Sequence, residues 1–574
     1  MKVVLSTLNS KYIHSSLALA YLEEACRCDD WEIEVLEFTI NDDISNIMAS
    51  LFERSPDILC FSVYIWNVKE IMALCCDYKK VAPNTTIILG GPEVSYHAEQ
   101  VLLENPAIDY IVRGEGEITL RELLGQLYGR GNFDSVKGIS YRINGQVKEN
   151  PAREVISDLN CLPSPFLRDF SAYKERIVYY ESSRGCPFNC SYCLSSTNKG
   201  VRYLPLDRVK RELKHLLSFP LRELKFVDRT FNCYEKRACE IMQFIVDQHA
   251  QTKVHLEICA DIITDRFLDF LRQIPAGIFN FEIGVQSTYP PALQAVNRAS
   301  NWEHLQKNIK TLKAFNNIHL HLDLIAGLPE ESYIHFQQSF NDVYRLQPDM
   351  LQLGFLKLLK GSEIYEKREK YGYRFQSQPP YQVLSNRYLS YSDMIKLSQV
   401  EQLLNRYYNK KIVPLTLKYV TEYLYKGNAF AFFKDFACFW HENKLFNLGH
   451  SREREYDILL DFLNFRYPDK KEENNELIKY DFLSNNLPHR FPQKVERYAL
   501  SEARELLSSC LENKKIIQML PEYIKGSKRE MMKRLQIEYF TINPITLEQT
   551  PSLLALLFAY HPLKKGAVTV LTIT

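Results

Sequence analysis

Twice along this chain, short apolar runs alternate with stretches of helical spacing, and that alternation limits the folds open to it. Over the first ~130 residues the runs are Val3–Leu5, Ile33–Phe38, Ile58–Val63, Thr86–Leu89 and Tyr110–Val112. Between them lie the helix-like Leu17–Cys26, Ile44–Phe52, Val68–Tyr78 and Ala98–Leu103. Strands joined by helices of this length run parallel, with helices on both faces. The expected fold class is therefore α/β, opening with a doubly wound parallel sheet over residues 1–132. Ligands of such sheets sit at the carboxyl ends of the strands. Those ends carry Asn9–Ser16, Ser62–Asn67, the Gly90-Gly91-Pro92 turn and Arg113–Glu117. The plainer reading of the glycine pair is a tight turn.

The Asn144-Gly145 pair predicts a hairpin within Gly138–Val147, and Pro163 and Pro165 mark a connector. Residues 133–172 thus read as hairpin and linker. A second alternation follows, with strands at Ile177–Tyr180, Leu224–Val227, Val254–Ile258, Phe279–Val285, His319–Ile325 and Leu351–Leu358. It suggests a partial (β/α)6 barrel over 173–375, with its chemistry at the strand C-termini. Residues 376–574 lose the pattern and are rich in Tyr, Phe, Lys and Leu. Helical spacing around Ser392–Tyr407 and Leu417–Trp440 predicts a mainly helical domain of unknown function with a packed aromatic core. Its charge-rich stretches, Ser451–Glu455 and Lys470–Glu476, read as loops.

A chain of 574 residues exceeds one ordinary core, consistent with several domains. The formal net charge of +1 leaves no overall electrostatic footprint for nucleic acid or an anionic membrane, and neither partner is expected. No apolar run approaches the ~20 residues of a membrane span. The opening MKVVLSTLN reads as a strand and not a leader. Most of the 14 cysteines lie scattered on apolar stretches, which suits a reducing, cytoplasmic location.

Cys186, Cys190 and Cys193 break that scatter, directly after the first barrel strand. Thiolates favour zinc or iron–sulfur. A structural zinc site closes with four ligands, and no fourth Cys or His stands at matching spacing. Three thiolates on a four-iron cluster leave one iron open for a substrate or cofactor. Gly185 and Pro187 bend the backbone around such a metal.

C-x-x-x-C-x-x-C with an aromatic, Tyr192, before the last cysteine resembles the signature of the radical S-adenosylmethionine (radical SAM) superfamily. The resemblance implies a 4Fe–4S cluster on Cys186, Cys190 and Cys193, and S-adenosylmethionine cleaved reductively to a 5′-deoxyadenosyl radical. Further segments resemble the same family: KFVDRTFN (Lys225–Asn232), HLEICAD, EIGVQSTYPPALQAVNR and HLDLIAGLPEE. They imply that Glu257, Gln286, Arg298 and Asp323 contact S-adenosylmethionine. Arg298 can grip a carboxylate, Glu257 and Asp323 can accept from hydroxyl or amino groups, and Gln286 can do either. More mundane roles are a solvated arginine and helix-capping carboxylates. The family's GGE segment is not visible; NKGVRYLP (Asn198–Pro205) stands near its place.

The doubly wound domain, with GGPEVS and VRGEGE, resembles the N-terminal domain of the cobalamin-binding radical SAM class. That implies cobalamin between the strand ends and the barrel mouth, with Gly90 and Gly91 approaching its nucleotide tail and Ser62 hydrogen-bonding to it. The D-x-H-x-x-G motif that supplies a cobalt-ligating histidine elsewhere is absent. The implied neighbours of the lower face are Tyr64-Ile65-Trp66 or Tyr12–His14. The C-terminal third resembles an uncharacterised domain of some bacterial members. The expected activity is radical SAM chemistry, most simply cobalamin-dependent C-methylation, on an unknown substrate and with an electron donor such as flavodoxin or ferredoxin. Two alternatives are a cobalamin-free radical SAM enzyme (methylthiotransferase-like, oxidative or cyclising) and a non-enzymatic metal-binding scaffold.

Overall fold

In strand β1 (Lys2–Asn9), Val4 and Leu8 enter one apolar core while Val3 and Leu5 enter another. A strand buried on both faces needs helices above and below it. The computed structural model supplies them. It describes residues 1–574 apart from 130, 198–199, 486, 488–489, 499–502, 521–527, 562–566 and 574. Helices α1 (Leu17–Cys26) and α6 (Gly116–Gly129) contribute to one core; α2 (Ile44–Glu53), α3 (Val68–Val81) and α5 (Ala98–Glu104) contribute to the other. A single helical turn, α4 (Pro92–Ser95), follows the glycine pair. The strands β2 (Glu32–Thr39), β3 (Ile58–Ser62), β4 (Thr86–Gly90) and β5 (Tyr110–Val112) lie parallel in the order β2-β1-β3-β4-β5. The order reverses beside β1, the switch point where ligands of doubly wound sheets bind.

The expected hairpin forms as β6 (Ile139–Ile143) and β7 (Gln146–Glu149), with Asn144 and Gly145 at φ 49° and 77°. It does not stand apart as a linker. Tyr110–Val112 pairs antiparallel with Ile139–Tyr141, so the first sheet grows to seven strands. Ile139 and Tyr141 are buried there, which accounts for the attachment.

The second alternation folds as β8 (Ile177–Tyr180), β9 (Ser183–Cys186), β10 (Gly200–Tyr203), α7 (Leu206–Leu216), β11 (Glu223–Phe226), α8 (Glu235–Asp247), β12 (Lys253–Glu257), α9 (Asp265–Arg272), β13 (Phe279–Gln286), α10 (Pro290–Ala295), α11 (Trp302–Phe315), β14 (His319–Ala326), α12 (Tyr333–Tyr344) and β15 (Met350–Phe355). Six of these strands form one parallel sheet, β15-β14-β13-β12-β11-β8, the sequential order of a partial barrel. Strands β9 and β10 form a separate antiparallel pair. In β13, Phe279, Phe281, Ile283 and Val285 are buried, while Asn280, Glu282, Gly284 and Gln286 alternate with them on the other face. Strand β14 alternates likewise, which puts His321 and Asp323 on that polar face.

The chain divides into two compact units, Met1–Met394 and Ile395–Thr574. The second is mainly helical, with a core in which Tyr407, Phe432, Phe436, Trp440 and Phe462 stack edge and face. The two charge-rich stretches expected as loops start helices instead. Ser451 caps Arg452–Arg466 by accepting from the Arg454 N–H, and Glu453 and Glu455 fill the positively polarised first turn. Lys470 precedes Lys471–Asn485 and pairs with Glu473 at 2.9 Å. A three-stranded antiparallel sheet of Leu535–Ile542, Gln549–Tyr560 and Val568–Ile573 was not anticipated. Among the described residues no helix is long and apolar enough to cross a membrane.

Candidate active site

The cysteine loop leaves from the β9–β10 hairpin, in which Cys186 stands opposite Gly200 and Gly185 opposite Val201. Gly185 has φ +100°, and a Cβ on it would lie 2.1 Å from the Gly200 carbonyl oxygen. Only glycine allows the strands to approach this closely. Asp228, after β11, holds the root of the hairpin. Its carboxylate accepts from the Ser182 N–H at 2.9 Å and from the Ser182 and Ser183 hydroxyls at 2.7 and 2.5 Å. Farther along, the Ser191 N–H donates to Val296 O and the Ile364 N–H to Ser191 O, each at 2.9 Å.

The three thiols share this loop, but their side chains have separate neighbours. Cys186 Sγ lies 3.6 Å from Thr230 Oγ1, and Arg298 Nη1 donates toward Cys190 Sγ at 3.8 Å. Cys190 is buried, Cys186 and Cys193 are half-buried, and all three are free of disulfides. Among the described residues, no three His, Cys, Asp or Glu side chains form a ready-made metal-binding group. What suits the loop to iron–sulfur is its donor chemistry: three soft thiols close together in one loop, faced by a guanidinium and a hydroxyl.

Tyr192, Gln286 and Arg298 gather beside Cys190. Arg298 Nη1 also donates to the Tyr192 hydroxyl at 3.4 Å, and Nη2 donates to Gly284 O. A Cβ on Gly284 would lie 2.1 Å from Gln286 Nε2, so the missing side chain makes room for both residues. The β13–β14 register slips between Gly284 and Gln286, and Gln286 takes φ +70°. This bulge at the strand end re-aims a side chain, a use bulges often serve. Gln286 Oε1 and Arg298 Nε are buried without hydrogen-bond partners. Such orphaned atoms mark a place for a polar ligand. Burial works against the Arg298 charge, while the neighbouring Tyr192 and Cys190 side chains act in its favour. Burial pushes the Tyr192 phenol up.

Glu257 and Asp323 lie on different strands of the same sheet, β12 and β14. Arg229 stands 3.7 Å from Glu257, and His321 Nε2 stands 3.0 Å from Asp323. Burial raises the pKa of both carboxyls against these cations. On β13, between those strands, Glu282 meets His255 at 2.7 Å and Lys225 at 3.1 Å, and these partners overcome its burial and hold it at about 2. Asp228, Arg229, Glu282 and His321 were not among the residues expected from the sequence. Asp228 and Arg229 lie within KFVDRTFN, which was the available signal. Asn198 and Lys199 of NKGVRYLP lie outside the described residues.

A cavity of about 860 Å³ opens at the carboxyl ends of the first sheet. Its walls include Ser62, Gly90 and Gly91 on one side and Tyr179, Glu181, Val227 and Arg229 of the barrel mouth on the other. Gly91 has φ +106°, and a Cβ there would lie 2.4 Å from Val63 O; at Gly90 the nearest atom would be 3.6 Å away. Gly91 is thus required by close backbone packing, while Gly90 has spare room. The Ser62 carbonyl accepts from Thr7 Oγ1 at 2.9 Å and Asn67 Nδ2 at 3.2 Å. Asn67 Nδ2 also reaches Leu8 O at 3.0 Å, which bolts the ends of β1 and β3 together. Tyr64 and Trp66 stack at 4.5 Å with an interplanar angle of 5°, and Trp66 Nε1 donates to Leu8 O at 3.1 Å. His14, the one histidine among the lining residues, meets the Tyr179 hydroxyl through Nδ1 at 2.7 Å.

Family models agree with this layout: a B12 binding domain matches residues 3–124, and the Radical SAM superfamily matches 180–343. The chain thus carries a radical SAM domain with a B12-binding domain ahead of it. It also carries a third domain, for residues 369–555 match a protein family of unknown function, DUF4080. An uncharacterized methyltransferase of Pyrococcus horikoshii is 26% identical over 359 residues, 61% of this chain and 77% of that protein. The cobalamin-dependent radical SAM methyltransferase TokK of Streptomyces tokunonensis is 25% identical over 339 residues, 56% of this chain but only 50% of its own length. Among solved structures, the radical S-adenosylmethionine methyltransferase TsrM of Kitasatospora setae, with cobalamin and a [4Fe-4S] cluster bound, superposes with a TM-score of 0.56. That match has 16% identity and covers 66% of this chain and 78% of TsrM, so it speaks for the fold.

Proposed function

We propose that this protein is a cobalamin-dependent radical SAM methyltransferase acting on a carbon centre held in the cavity at the barrel mouth. The observation that carries the reading is the cavity with two walls, one made by the first sheet's strand ends and one by the barrel mouth. When bound, the cluster and S-adenosylmethionine supply hydrogen abstraction by a 5′-deoxyadenosyl radical, and cobalamin supplies a transferable methyl group.

This chain's residues have distinct tasks. Cys186, Cys190 and Cys193 would hold the cluster. Arg298, kept cationic beside Cys190, binds the carboxylate of S-adenosylmethionine. Gln286 offers its unpartnered oxygen to the amino or ribose groups, and Glu257 and Asp323 accept from the same groups. Gly90 and Ser62, on the cavity wall, would meet the nucleotide tail of the corrinoid. The Tyr64–Trp66 stack would offer the corrin a flat aromatic contact and keep water from it. The near-neutral charge and free cysteines support a cytoplasmic location. The reductive cleavage itself calls for a one-electron donor, a small protein such as flavodoxin or ferredoxin.

The test is anaerobic reconstitution with iron, sulfide and hydroxocobalamin, followed by desalting. Stoichiometric corrinoid in the spectrum, together with 5′-deoxyadenosine formed on adding reductant, is the expected result. Deoxyadenosine without retained corrinoid would reduce the reading to a cobalamin-free radical SAM enzyme. Zinc in a closed four-donor shell would leave only a scaffold.

A further inference from the structure

The VRGEGE turn follows β5 at the cavity, and both of its acids are paired with arginines. Arg184, two residues before Cys186, donates to Glu117. It also meets Glu181 at 2.7 Å and Glu115 at 3.7 Å. Arg202 stands opposite Arg184 across the β9–β10 pair and grips Glu115 with two bonds, at 2.7 and 3.0 Å. The remaining acceptor capacity of Glu115 takes the Ile156 N–H at 2.7 Å. All these side chains are nearly enclosed; that of Arg184 is 14% exposed and that of Glu117 8%. Three carboxylates and two guanidiniums therefore form one desolvated network. Two of the acids come from the B12-binding domain, and both cations come from the hairpin that starts the cysteine loop. Gly114, Glu115, Gly116, Glu117, Glu181 and Arg184 all line the cavity wall.

We propose that Glu115 and Glu117 are positioning residues that couple occupancy of the cavity to the geometry of the cluster hairpin. The inference rests on the reading of the cavity as a corrinoid site. A ligand against Gly114 and Gly116 fixes the turn, the turn's carboxylates fix Arg184 and Arg202, and these fix the strands from which Cys186 projects. Removing the Glu117 carboxylate takes away the charge-assisted bond that ties Arg184 to the turn and leaves Arg184 its partner within the hairpin region, Glu181, which loosens the hairpin from the turn without removing a cluster ligand. Coupling between two binding sites is reciprocal: corrinoid tightens S-adenosylmethionine by the factor with which S-adenosylmethionine tightens corrinoid.

The experiment uses the full chain, anaerobically reconstituted with its cluster. Binding of radiolabelled S-adenosylmethionine is measured by equilibrium dialysis with and without one equivalent of hydroxocobalamin. Corrinoid should tighten wild-type binding by roughly fivefold or more, the usual floor for allosteric coupling. In Glu117→Gln the factor should fall toward one, while corrinoid retention and the cluster absorbance persist. Glu154→Gln, which removes only the exposed pair with Lys137, should keep the wild-type factor. If Glu117→Gln fails to assemble a cluster, Glu115→Gln reads the same coupling. Two results overturn the proposal: a wild-type chain that retains corrinoid with no change in S-adenosylmethionine affinity, and a Glu117→Gln chain with full coupling. Loss of corrinoid from Glu117→Gln would make Glu117 a direct corrinoid contact, and this too overturns it. A wild-type chain that holds no corrinoid at all defeats the cobalamin reading first, and the coupling with it.

Discussion

Gly185→Ala isolates the claim that backbone proximity builds the cysteine loop. Two costs can be separated. Alanine at φ +100° is strained by about 1–2 kcal/mol whatever surrounds it. Its Cβ would also lie 2.1 Å from the Gly200 oxygen, against ordinary contact at 3.4 Å and beyond, so β10 must retreat. Retreat breaks part of a short ladder whose hydrogen bonds contribute about 1 kcal/mol each. The sum is about 3–4 kcal/mol, enough to shift a local opening equilibrium by roughly two to three powers of ten. Gly200→Ala provides the comparison, because Gly200 has φ +84° but an added methyl group there would meet nothing within 4 Å, leaving only the conformational cost. The assay is iron and sulfide per chain, with sulfide-to-iron absorbance near ~400 nm, after anaerobic reconstitution. Gly185→Ala should lose most of its cluster while Gly200→Ala keeps most of it. The thermal midpoint should move little in either, since the hairpin lies outside the main sheets. A full cluster in Gly185→Ala, or equal losses in both variants, would refute the reasoning.

Other outcomes are equally concrete. Alanine at Cys186, Cys190 or Cys193 should each abolish the cluster spectrum and 5′-deoxyadenosine; an intact cluster in Cys190→Ala sinks the ligand assignment. Glu282, held at about 2 by His255 and Lys225, contributes stability that is complete above the unfolded carboxyl pKa and fades as pH falls through its folded value. The contribution is about 3 kcal/mol, so Glu282→Gln should flatten the loss of thermal midpoint between about pH 4.5 and 2. Glu331 shows the opposite sign. Burial raises its carboxyl to about 7 despite the Ser287 and Ser339 hydroxyls, so it costs stability as pH rises from the unfolded pKa through 7. Glu331→Gln should therefore gain in midpoint relative to wild type between about pH 5 and 8; an unchanged difference across that range contradicts the burial argument.

Much of the fold was legible because apolar runs such as Ile58–Ser62 are buried along their whole length and have helical spacing on either side. The stretches Ser451–Glu455 and Lys470–Glu476 resemble loops by charge density, yet the Ser451 cap and the acidic first turns make them helix starts. The cysteine spacing and the Gln286–Arg298 segment pointed to the site, but not to how it is held. That depends on a bulge at Gln286, which only the pairing with β14 creates. It also depends on Asp228 meeting Ser182 and on Arg184 meeting Glu117, contacts between segments far apart in the chain. Single-strand patterns carry no record of such meetings.

The backbone bonds that lock Ser191, one to Val296 and one from Ile364, also bear on the order of biosynthesis. The cysteines leave the ribosome well before either partner has been translated. A nascent chain therefore exposes its thiols on an unanchored loop, which settles only when the end of the barrel arrives. On the proposed reading, iron delivery would be tied to late stages of synthesis, and a chain truncated before Ile364 would offer the assembly machinery only a transient hold.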